Sequence, residues 1–293
     1  MKELFGSYVA IVTPMLDDGS VDYVALDRLI EFHIENGTHG IVSVGTTGES
    51  ATLSVEEHLS VVEHTVKKAA SRIPIIAGTG ANSTSEAVHL TKLAQGVGVD
   101  ACLLVVPYYN KPTQEGLYQH FRTIADSVAV PQILYNVPGR TVLSMENSTT
   151  ERLADIENII GIKDATGSME SGADLIKRVG DKISVVSGDD GTALELIKLG
   201  GKGNISVTAN IAPKMMSDLC ESGVNGDLET ANAINQKLSA INGQLFCESN
   251  PIPVKWALQK MGLTQGGIRL PLTELAPEFH ADLSAAMQDL GLI

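Results

Sequence analysis

The sequence is poor in cysteine, in aromatic residues and in basic charge. Its three cysteines, Cys102, Cys220 and Cys247, are far apart and odd in number, so they favour neither a disulfide framework nor a zinc site. The net charge of -14 argues against nucleic acid or an anionic membrane surface as a partner. A local basic pocket that binds an acidic substrate is still compatible with this charge.

Long apolar runs are also missing. No run approaches the length of a membrane span, and the N-terminal apolar stretch stops at Pro14 without the cleavage pattern of a signal peptide. The histidines are scattered, and His58 and His64 are not at metal-ligand spacing. We therefore expect a cytoplasmic protein with no metal site and no membrane partner.

Short β-rich runs, separated by segments of helical periodicity, dominate the first two thirds of the chain. They cover residues 8–12, 40–44, 74–77, 101–106, 131–135, 159–163, 182–186 and 203–207. Their near-continuous apolarity is typical of parallel strands covered by helices. Eight strands in strict alternation with helices predict an α/β protein of the closed (β/α)8 TIM-barrel class.

An open doubly wound sheet is the alternative to the barrel. Such a sheet usually carries a Gly-rich fingerprint after its first strand, whereas this chain has Thr13-Pro14-Met15-Leu16 there. The eight strands are used up by about residue 210. We therefore expect a barrel over residues 1–210 that carries the active site, and a C-terminal helical extension over residues 211–293 that packs on it.

A lysine, Lys163, closes the sixth apolar run. Strand alternation predicts that Ile160 and Ile162 face a covering helix, while Gly161 and Lys163 face the other way. An amine held out of water has its charged form disfavoured, which frees it to attack a carbonyl carbon. Schiff-base chemistry is therefore the first hypothesis, and an ion pair with the adjacent Asp164 is the alternative.

Polar segments follow the other strands at the end where barrel enzymes place their chemistry. They are Gly45-Thr46-Thr47-Gly48-Glu49, residues 107–112 and residues 135–141. The first segment is either a turn whose hydroxyls cap a helix or a loop that holds a carboxylate. Tyr135 is either a core aromatic or a site residue, and Arg140 is either a solvated loop charge or a substrate ligand.

Taken together, these motifs resemble the dihydrodipicolinate synthase (4-hydroxy-tetrahydrodipicolinate synthase) family. The resemblance includes residues 45–49, 107–110, 135–141, 161–167 and 248–255, and it covers nearly the whole chain. The wider group of pyruvate-dependent class I lyases and aldolases, such as N-acetylneuraminate lyase, shares the lysine and the tyrosine. The pair Thr46-Thr47 together with Gly139-Arg140-Thr141 narrows the match to the synthases.

The resemblance implies a role for each matching residue. Lys163 would form the imine with pyruvate, and Tyr135 would shuttle protons, linked through Thr47 to Tyr109, which reaches into the neighbouring subunit's active site. The other substrate-binding residues would be Thr46 with Thr47 for the pyruvate carboxylate, Arg140 for aspartate semialdehyde, and the backbones of Gly188 and Ile205. The implied reaction needs no cofactor or metal, and it is the committed step of diaminopimelate and lysine biosynthesis.

The resemblance also implies a homotetramer built from two dimers, with a site for the feedback inhibitor L-lysine at the dimer interface. The matching positions are Ser50, Ala51, His58, Asn82, Glu86 and Tyr108. Glu86 would pair with the α-amino group and Asn82 with the carboxylate. Val55 departs from the pattern, since strongly sensitive bacterial enzymes often carry a histidine there, so we expect partial inhibition.

Two other functions are compatible with parts of this pattern. One is a sister aldolase that acts on a sugar acid. The other is a catalytically inactive barrel that only senses a keto acid. The presence of the complete set Lys163, Tyr135, Tyr109 and Thr47 argues against the sensor.

Overall fold

The structure is a computed structural model that describes residue 1 and residues 3–293. The strands are β1 Gly6–Ala10, β2 Gly40–Ser43, β3 Ile75–Gly78, β4 Ala101–Val105, β5 Gln132–Asn136, β6 Ile159–Asp164, β7 Ser184–Ser187 and β8 Gly203–Ser206. Each strand pairs in parallel with the next, and β8 pairs with β1, so the sheet closes. The predicted (β/α)8 barrel is confirmed, and the open sheet is excluded.

Helices fill the crossovers and form the C-terminal part of the chain. They are α1 Tyr23–Glu35, α2 Val55–Ala69, α3 Thr84–Gly96, α4 Gln114–Ser127, α5 Pro138–Thr141, α6 Asn147–Leu153, α7 Met169–Val179, α8 Ala193–Lys198, α9 Pro213–Val224, α10 Leu228–Gln244, α11 Ile252–Lys260 and α12 His280–Asp289. In the described part of the chain, none of these helices has both the length and the apolarity to cross a membrane.

Local sequence explains where the longer helices begin. Asp22 and Thr113 each accept a hydrogen bond from a backbone N–H in the first turn of α1 and α4. Ser54 and Glu57 form a reciprocal capping box at the start of α2. These side chains satisfy N–H groups that have no partner inside the helix.

Both faces of the barrel strands are buried, which explains why the strands are apolar almost throughout. Tyr8, Val42, Leu103, Ile133 and Val186 belong to a cluster inside the barrel. Two further clusters lie between the strands and the surrounding helices. The strands of the barrel are therefore packed from both sides.

Strand β6 departs from regular alternation, and this overturns one prediction. Its register with β5 shifts, because Gln132 pairs with Ile159 and Ile133 pairs with Gly161. Ile160 therefore packs toward the barrel interior, whereas Ile162 packs against the helices. The prediction that these two isoleucines share a face was wrong, since a bulge inserts one unpaired residue and reverses the alternation.

Helix α9 packs against β1 and β8, so it lies in the ring of helices around the barrel. Helix α10 packs on α9, and α12 packs on α10 and α11. The residues after β8 thus build a helical layer that contacts the barrel. The division of the chain at residue 210 stays a prediction.

Candidate active site

Loops at the C-terminal ends of the strands enclose a cavity of about 180 Å3. The predicted site residues that line it are Thr46, Thr47, Tyr135, Arg140, Lys163 and Gly188. They come from loops and strands far apart in sequence, because parallel strands bring their C-terminal ends to the same mouth. Two predicted residues do not line this cavity: Ile205 lies in the apolar cluster inside the barrel, and Tyr109 lies outside.

Lys163 points into the barrel, as predicted. It is 5% exposed, it is the register partner of Tyr135, and its Nζ lies 4.4 Å from the centre of the Tyr135 ring. None of the ion pairs among residues 1 and 3–293 involves Lys163. The amine is therefore buried beside an aromatic ring and has no carboxylate partner in this part of the chain.

Asp164 does not pair with Lys163. Its carboxylate accepts hydrogen bonds from the backbone N–H of Thr166 at 3.2 Å and from the Thr166 hydroxyl at 3.0 Å. Burial raises the pKa of this carboxyl above its usual range. The alternative interpretation of Lys163 as one half of an ion pair with its neighbour is excluded.

The glycine that makes room for Lys163 is Gly188. A Cβ added at Gly188 would lie 2.7 Å from Cε of Lys163 and 2.8 Å from Cβ of Ala165. The space beside Gly161 is taken by another residue, since a Cβ there would lie 2.5 Å from Cδ1 of Leu4.

Residues 45–49 form a tight loop at the rim of the cavity. A Cβ at Gly48 would lie 2.9 Å from Cα of Val44, and the Thr13 hydroxyl donates a hydrogen bond to the Gly48 carbonyl at 2.7 Å. The Thr47 hydroxyl is buried and accepts a hydrogen bond from Nδ2 of Asn250 at 3.0 Å. Since α2 is capped by Ser54, Thr46 and Thr47 do not cap it, and the helix-cap interpretation fails.

A buried ion pair holds the end of this loop. Glu49 pairs with Lys255 of α11, and the side chains are 0% and 4% exposed. Burial lowers the pKa of Lys255, while the Glu49 carboxylate opposes that shift. The second carboxylate oxygen of Glu49 accepts from the backbone N–H of Arg269 at 3.2 Å. Sequence reasoning missed this contact, although a lysine within the apolar start of α11 was a usable signal.

Arg140 lies on the short helix α5 and is exposed at the mouth of the cavity. Its Nη2 donates to the carbonyl oxygen of Asn250 at 3.1 Å. The guanidinium group is therefore held at the entrance, and its nitrogens other than Nη2 make no hydrogen bond to residue 1 or residues 3–293. This is a suitable arrangement for a carboxylate, which an arginine binds through two parallel hydrogen bonds.

The tyrosines after β4 lie outside the cavity of their own chain. Tyr109 is 91% exposed and has a positive φ of 72°, and Tyr108 is 42% exposed. Asn82 stabilises their loop, because its Nδ2 donates to the Tyr108 carbonyl at 3.2 Å and its own carbonyl accepts from Asn110 at 2.8 Å. Within one chain, Tyr109 does not meet Tyr135 and Thr47.

A second cavity of about 370 Å3 adjoins the first, and Thr46 and Arg140 line both. The predicted inhibitor-site residues that line it are Ser50, Ala51, His58, Glu86 and Tyr108, whereas Asn82 does not. Burial lowers the pKa of His58, and burial together with Glu86 raises the pKa of Tyr108. The described residues contain no cluster of three His, Cys, Asp or Glu side chains that could hold a metal ion.

Comparison with known proteins gives a consistent result. A model of the dihydrodipicolinate synthetase family matches residues 3–290. The 4-hydroxy-tetrahydrodipicolinate synthase of Pseudomonas putida (strain W619) is 61% identical over 288 residues, which are 98% of this chain and 99% of that protein.

Solved structures agree with the sequence comparison. The chloride-inhibited dihydrodipicolinate synthase from Acinetobacter baumannii complexed with pyruvate is 59% identical, with a TM-score of 0.98 over 99% of both chains. The enzyme from Cyanidioschyzon merolae with lysine bound is 38% identical, with a TM-score of 0.96 over 100% of both chains. The resemblance that the motifs indicated is confirmed, and this chain belongs to the dihydrodipicolinate synthetase family.

Proposed function

We propose that this protein condenses pyruvate with L-aspartate 4-semialdehyde to give 4-hydroxy-tetrahydrodipicolinate, the committed step of diaminopimelate and lysine biosynthesis in the cytoplasm. The observation that carries the proposal is the Lys163 amine, which is buried in a cavity, lies 4.4 Å from the Tyr135 ring centre and has no ion-pair partner in the described residues. The names of the family and of its close relatives agree with it.

The first step forms a carbon–nitrogen bond. The neutral amine of Lys163 attacks C2 of pyruvate, and the resulting carbinolamine loses its hydroxyl as water to give the imine. Protons must move from the nitrogen and to the departing oxygen, and the Tyr135 hydroxyl can both donate and accept. The hydroxyls and backbone N–H groups of Thr46 and Thr47 hold the pyruvate carboxylate.

The second step forms a carbon–carbon bond. Loss of a proton from the pyruvate methyl group gives the enamine, whose carbon attacks the aldehyde carbon of the second substrate. Arg140 holds the carboxylate of that substrate at the entrance. The substrate's amino group then attacks the imine carbon, which closes the ring and releases Lys163 as the free amine. The backbone of Gly188, which lines the cavity, borders the pyruvate position in this proposal.

We infer that the protein is a homotetramer made of two dimers, in which Tyr109 of each chain completes the site of its neighbour. This rests on the 91% exposure of Tyr109 and on its absence from the cavity of its own chain. An exposed aromatic loop of this kind is typical of a surface that is covered by a partner. We also propose that residues 1–210 form the catalytic barrel and residues 211–293 its extension.

Borohydride trapping is the decisive experiment. Reduction in the presence of pyruvate should add a lactyl-sized mass to the peptide that contains Lys163, and Lys163→Ala should abolish the label.

Coupled assays should then show turnover with aspartate semialdehyde but no cleavage of N-acetylneuraminate or 2-keto-3-deoxygluconate. Cleavage of a sugar acid would indicate the sister aldolase, and binding of pyruvate without turnover would indicate the sensor.

We further propose that the second cavity binds L-lysine as a partial inhibitor. Five of the predicted residues line it, and the related Cyanidioschyzon merolae structure is described with lysine bound. Because Val55 supplies no hydrogen bond, which is typically worth about 1 kcal/mol, binding should be several-fold weaker than with a histidine there.

Calorimetric titration with lysine tests this site. Heat should be released with the parent protein and lost in Glu86→Ala, whereas Val55→His should tighten binding several-fold. The absence of heat with the parent, or unchanged binding in Glu86→Ala, would show that this cavity is not the inhibitor site.

A further inference from the structure

We propose that the side chain of Asn250 is a positioning residue for the pyruvate end of the site, an inference that rests on the proposed function. Asn250 is 5% exposed and lines both cavities. It precedes α11 and belongs to the C-terminal part of the chain. The sequence pattern gave it no role.

Asn250 contacts both proposed substrate-binding segments, the loop that carries Thr47 and the helix that carries Arg140. The Nδ2 group of Asn250 donates to the Thr47 hydroxyl at 3.0 Å. Its backbone carbonyl accepts from Arg140 at 3.1 Å. The side chain therefore acts on the pyruvate loop, while the backbone acts on the arginine at the entrance.

The hydrogen bond to Thr47 fixes the direction in which the threonine can donate. A hydroxyl has one proton, and its oxygen already accepts from the Asn250 amide. The proton of Thr47 is therefore free to be donated to another partner, in the cavity that Tyr135 and Lys163 also line. Without the amide, the hydroxyl would rotate among several orientations and spend less time in the productive one.

Asn250 is itself held by its surroundings. Three residues after α11 begins, Lys255 forms the buried ion pair with Glu49, at the end of the same loop that carries Thr47. The segment from 250 to 255 therefore contacts the loop from 47 to 49 at two points. The remaining side-chain oxygen of Asn250 is buried without a hydrogen-bond partner in the described residues.

The two roles can be separated because only one of them uses the side chain. Asn250→Ala removes the amide and keeps the backbone carbonyl that Arg140 contacts. We expect the rate of Lys163 trapping by borohydride at subsaturating pyruvate to fall about five- to tenfold, the size of one lost hydrogen bond to a polar group. The KM for semialdehyde should change less than twofold.

Asn250→Asp gives a second, isosteric test. An ionised carboxylate can only accept hydrogen bonds. The Thr47 hydroxyl would therefore donate its hydrogen bond to the carboxylate, which reverses the direction of the bond seen with Asn250. The charge of the new carboxylate would also repel the pyruvate carboxylate. Pyruvate trapping should therefore decline as the pH rises through the pKa of the new carboxyl group, a dependence that the parent lacks.

Asn158→Ala is the matched control. The Asn158 side-chain amide is partly buried and donates to two backbone carbonyls, Ala125 at 2.9 Å and Val128 at 2.8 Å, but it lies before β6, at the opposite end of the barrel. The Asn158→Ala variant should have a lower thermal midpoint, and its KM values for pyruvate and for semialdehyde should be unchanged. If the parent traps pyruvate and Asn250→Ala traps it equally fast, the positioning role is wrong. If the parent itself fails to trap pyruvate, the proposed function is wrong instead.

Discussion

At the residue scale, the site depends on small side chains as much as on reactive ones. Gly188 carries no reactive group, yet a Cβ there would lie 2.7 Å from Cε of Lys163. Packed interiors tolerate little added volume. The position of the amine is therefore constrained by the absence of a Cβ at the residue that follows β7.

Gly188→Ala should lower catalytic activity strongly. Overpacking of this kind costs about 1–3 kcal/mol, and the lysine can only relieve it by moving out of line with C2 of pyruvate. Gly243→Ala in α10 is the control, because a Cβ there meets nothing within 4 Å, and a helical alanine should be neutral or stabilising. The rate of borohydride trapping, measured for both variants, checks this. Full trapping in Gly188→Ala would contradict the proposed packing of Lys163.

Arg140 gives the complementary prediction at the same scale. Arg140→Ala should raise the KM for semialdehyde at least tenfold, because a charge-assisted bidentate pair is worth about 1.5–3 kcal/mol. Pyruvate trapping on Lys163 should be nearly unchanged. This is the reverse of the pattern expected for Asn250→Ala, and steady-state kinetics with each substrate varied in turn distinguishes them. An unchanged KM for semialdehyde would show that Arg140 is a solvated loop charge and does not bind this substrate.

At the scale of elements, the C-terminal part of the chain is tied to the loops after β2. Arg269 donates to both carboxylate oxygens of Glu57, at 2.9 and 2.6 Å, and to the carbonyls of Gly19 and Thr52. Glu57 belongs to the capping box of α2. One arginine thus connects residues before α1, the start of α2 and the segment after α11.

This contact predicts a pH dependence of stability. Hydrogen bonds from the Arg269 guanidinium and, secondarily, from the Ser54 backbone N–H lower the pKa of Glu57 from 4.5 to about 2. Between these values the unfolded state binds more protons than the folded state, so the stability from this pair is present above pH 4.5 and is lost as the pH falls toward 2. The pair is more than one third exposed on the Glu57 side, so solvent screening limits its own contribution to about 1 kcal/mol or less.

Urea unfolding of Arg269→Met at several pH values measures this dependence. The variant should lose about 1–3 kcal/mol at neutral pH, since several hydrogen bonds to a charged group also disappear. Its difference from the parent should shrink below pH 4.5. Arg122→Met removes an exposed pair with Asp126 and should change stability little at any pH. A difference in stability that stays constant down to pH 2 would show that the ionisation of Glu57 is not coupled to Arg269.

At the scale of the whole molecule, the cavity of a single chain lacks one of the proposed catalytic groups. Lys163, Tyr135 and Thr47 line one cavity, and Tyr109 faces away from it with 91% of its surface exposed. A second copy can supply the missing tyrosine if the two surfaces meet around residues 107–112. Assembly is then a condition for full activity, which sedimentation at assay concentration can check.

Hybrid oligomers give the sharpest test of this arrangement. Lys163→Ala and Tyr109→Phe should each be nearly inactive alone. When the two are co-expressed, a mixed dimer has one site with an intact Lys163 and a tyrosine from its partner, so activity should return to a substantial fraction of the parent's. Co-expression of Lys163→Ala with Tyr135→Phe is the control, and it should restore nothing if Tyr135 acts within its own chain.

Hybrids that form but remain inactive would show that Tyr109 does not cross between chains. Mass spectrometry of the intact oligomer identifies the hybrids independently of activity. A fully active monomer would contradict the proposed assembly directly.

Sequence patterns were sufficient to predict the barrel and the membership of the family, and both predictions are confirmed. These follow from local features: apolar runs at regular spacing specify parallel strands, and motifs at strand ends meet wherever a barrel closes. The inward direction of Lys163 also came from the sequence. It was predicted by simple alternation, and it proved correct even though the bulge placed Ile160 on the other face.

The surroundings of the proposed catalytic groups became visible only in the folded chain. Gly188 makes room for Lys163, Asn250 holds Thr47 and Arg140, and Lys255 neutralises the buried Glu49. These contacts join residues that are separated by up to about two hundred positions in the chain. Periodicity and motif spacing describe only neighbours along the sequence, whereas close packing and the pairing of buried charges depend on which distant segments the fold brings into contact.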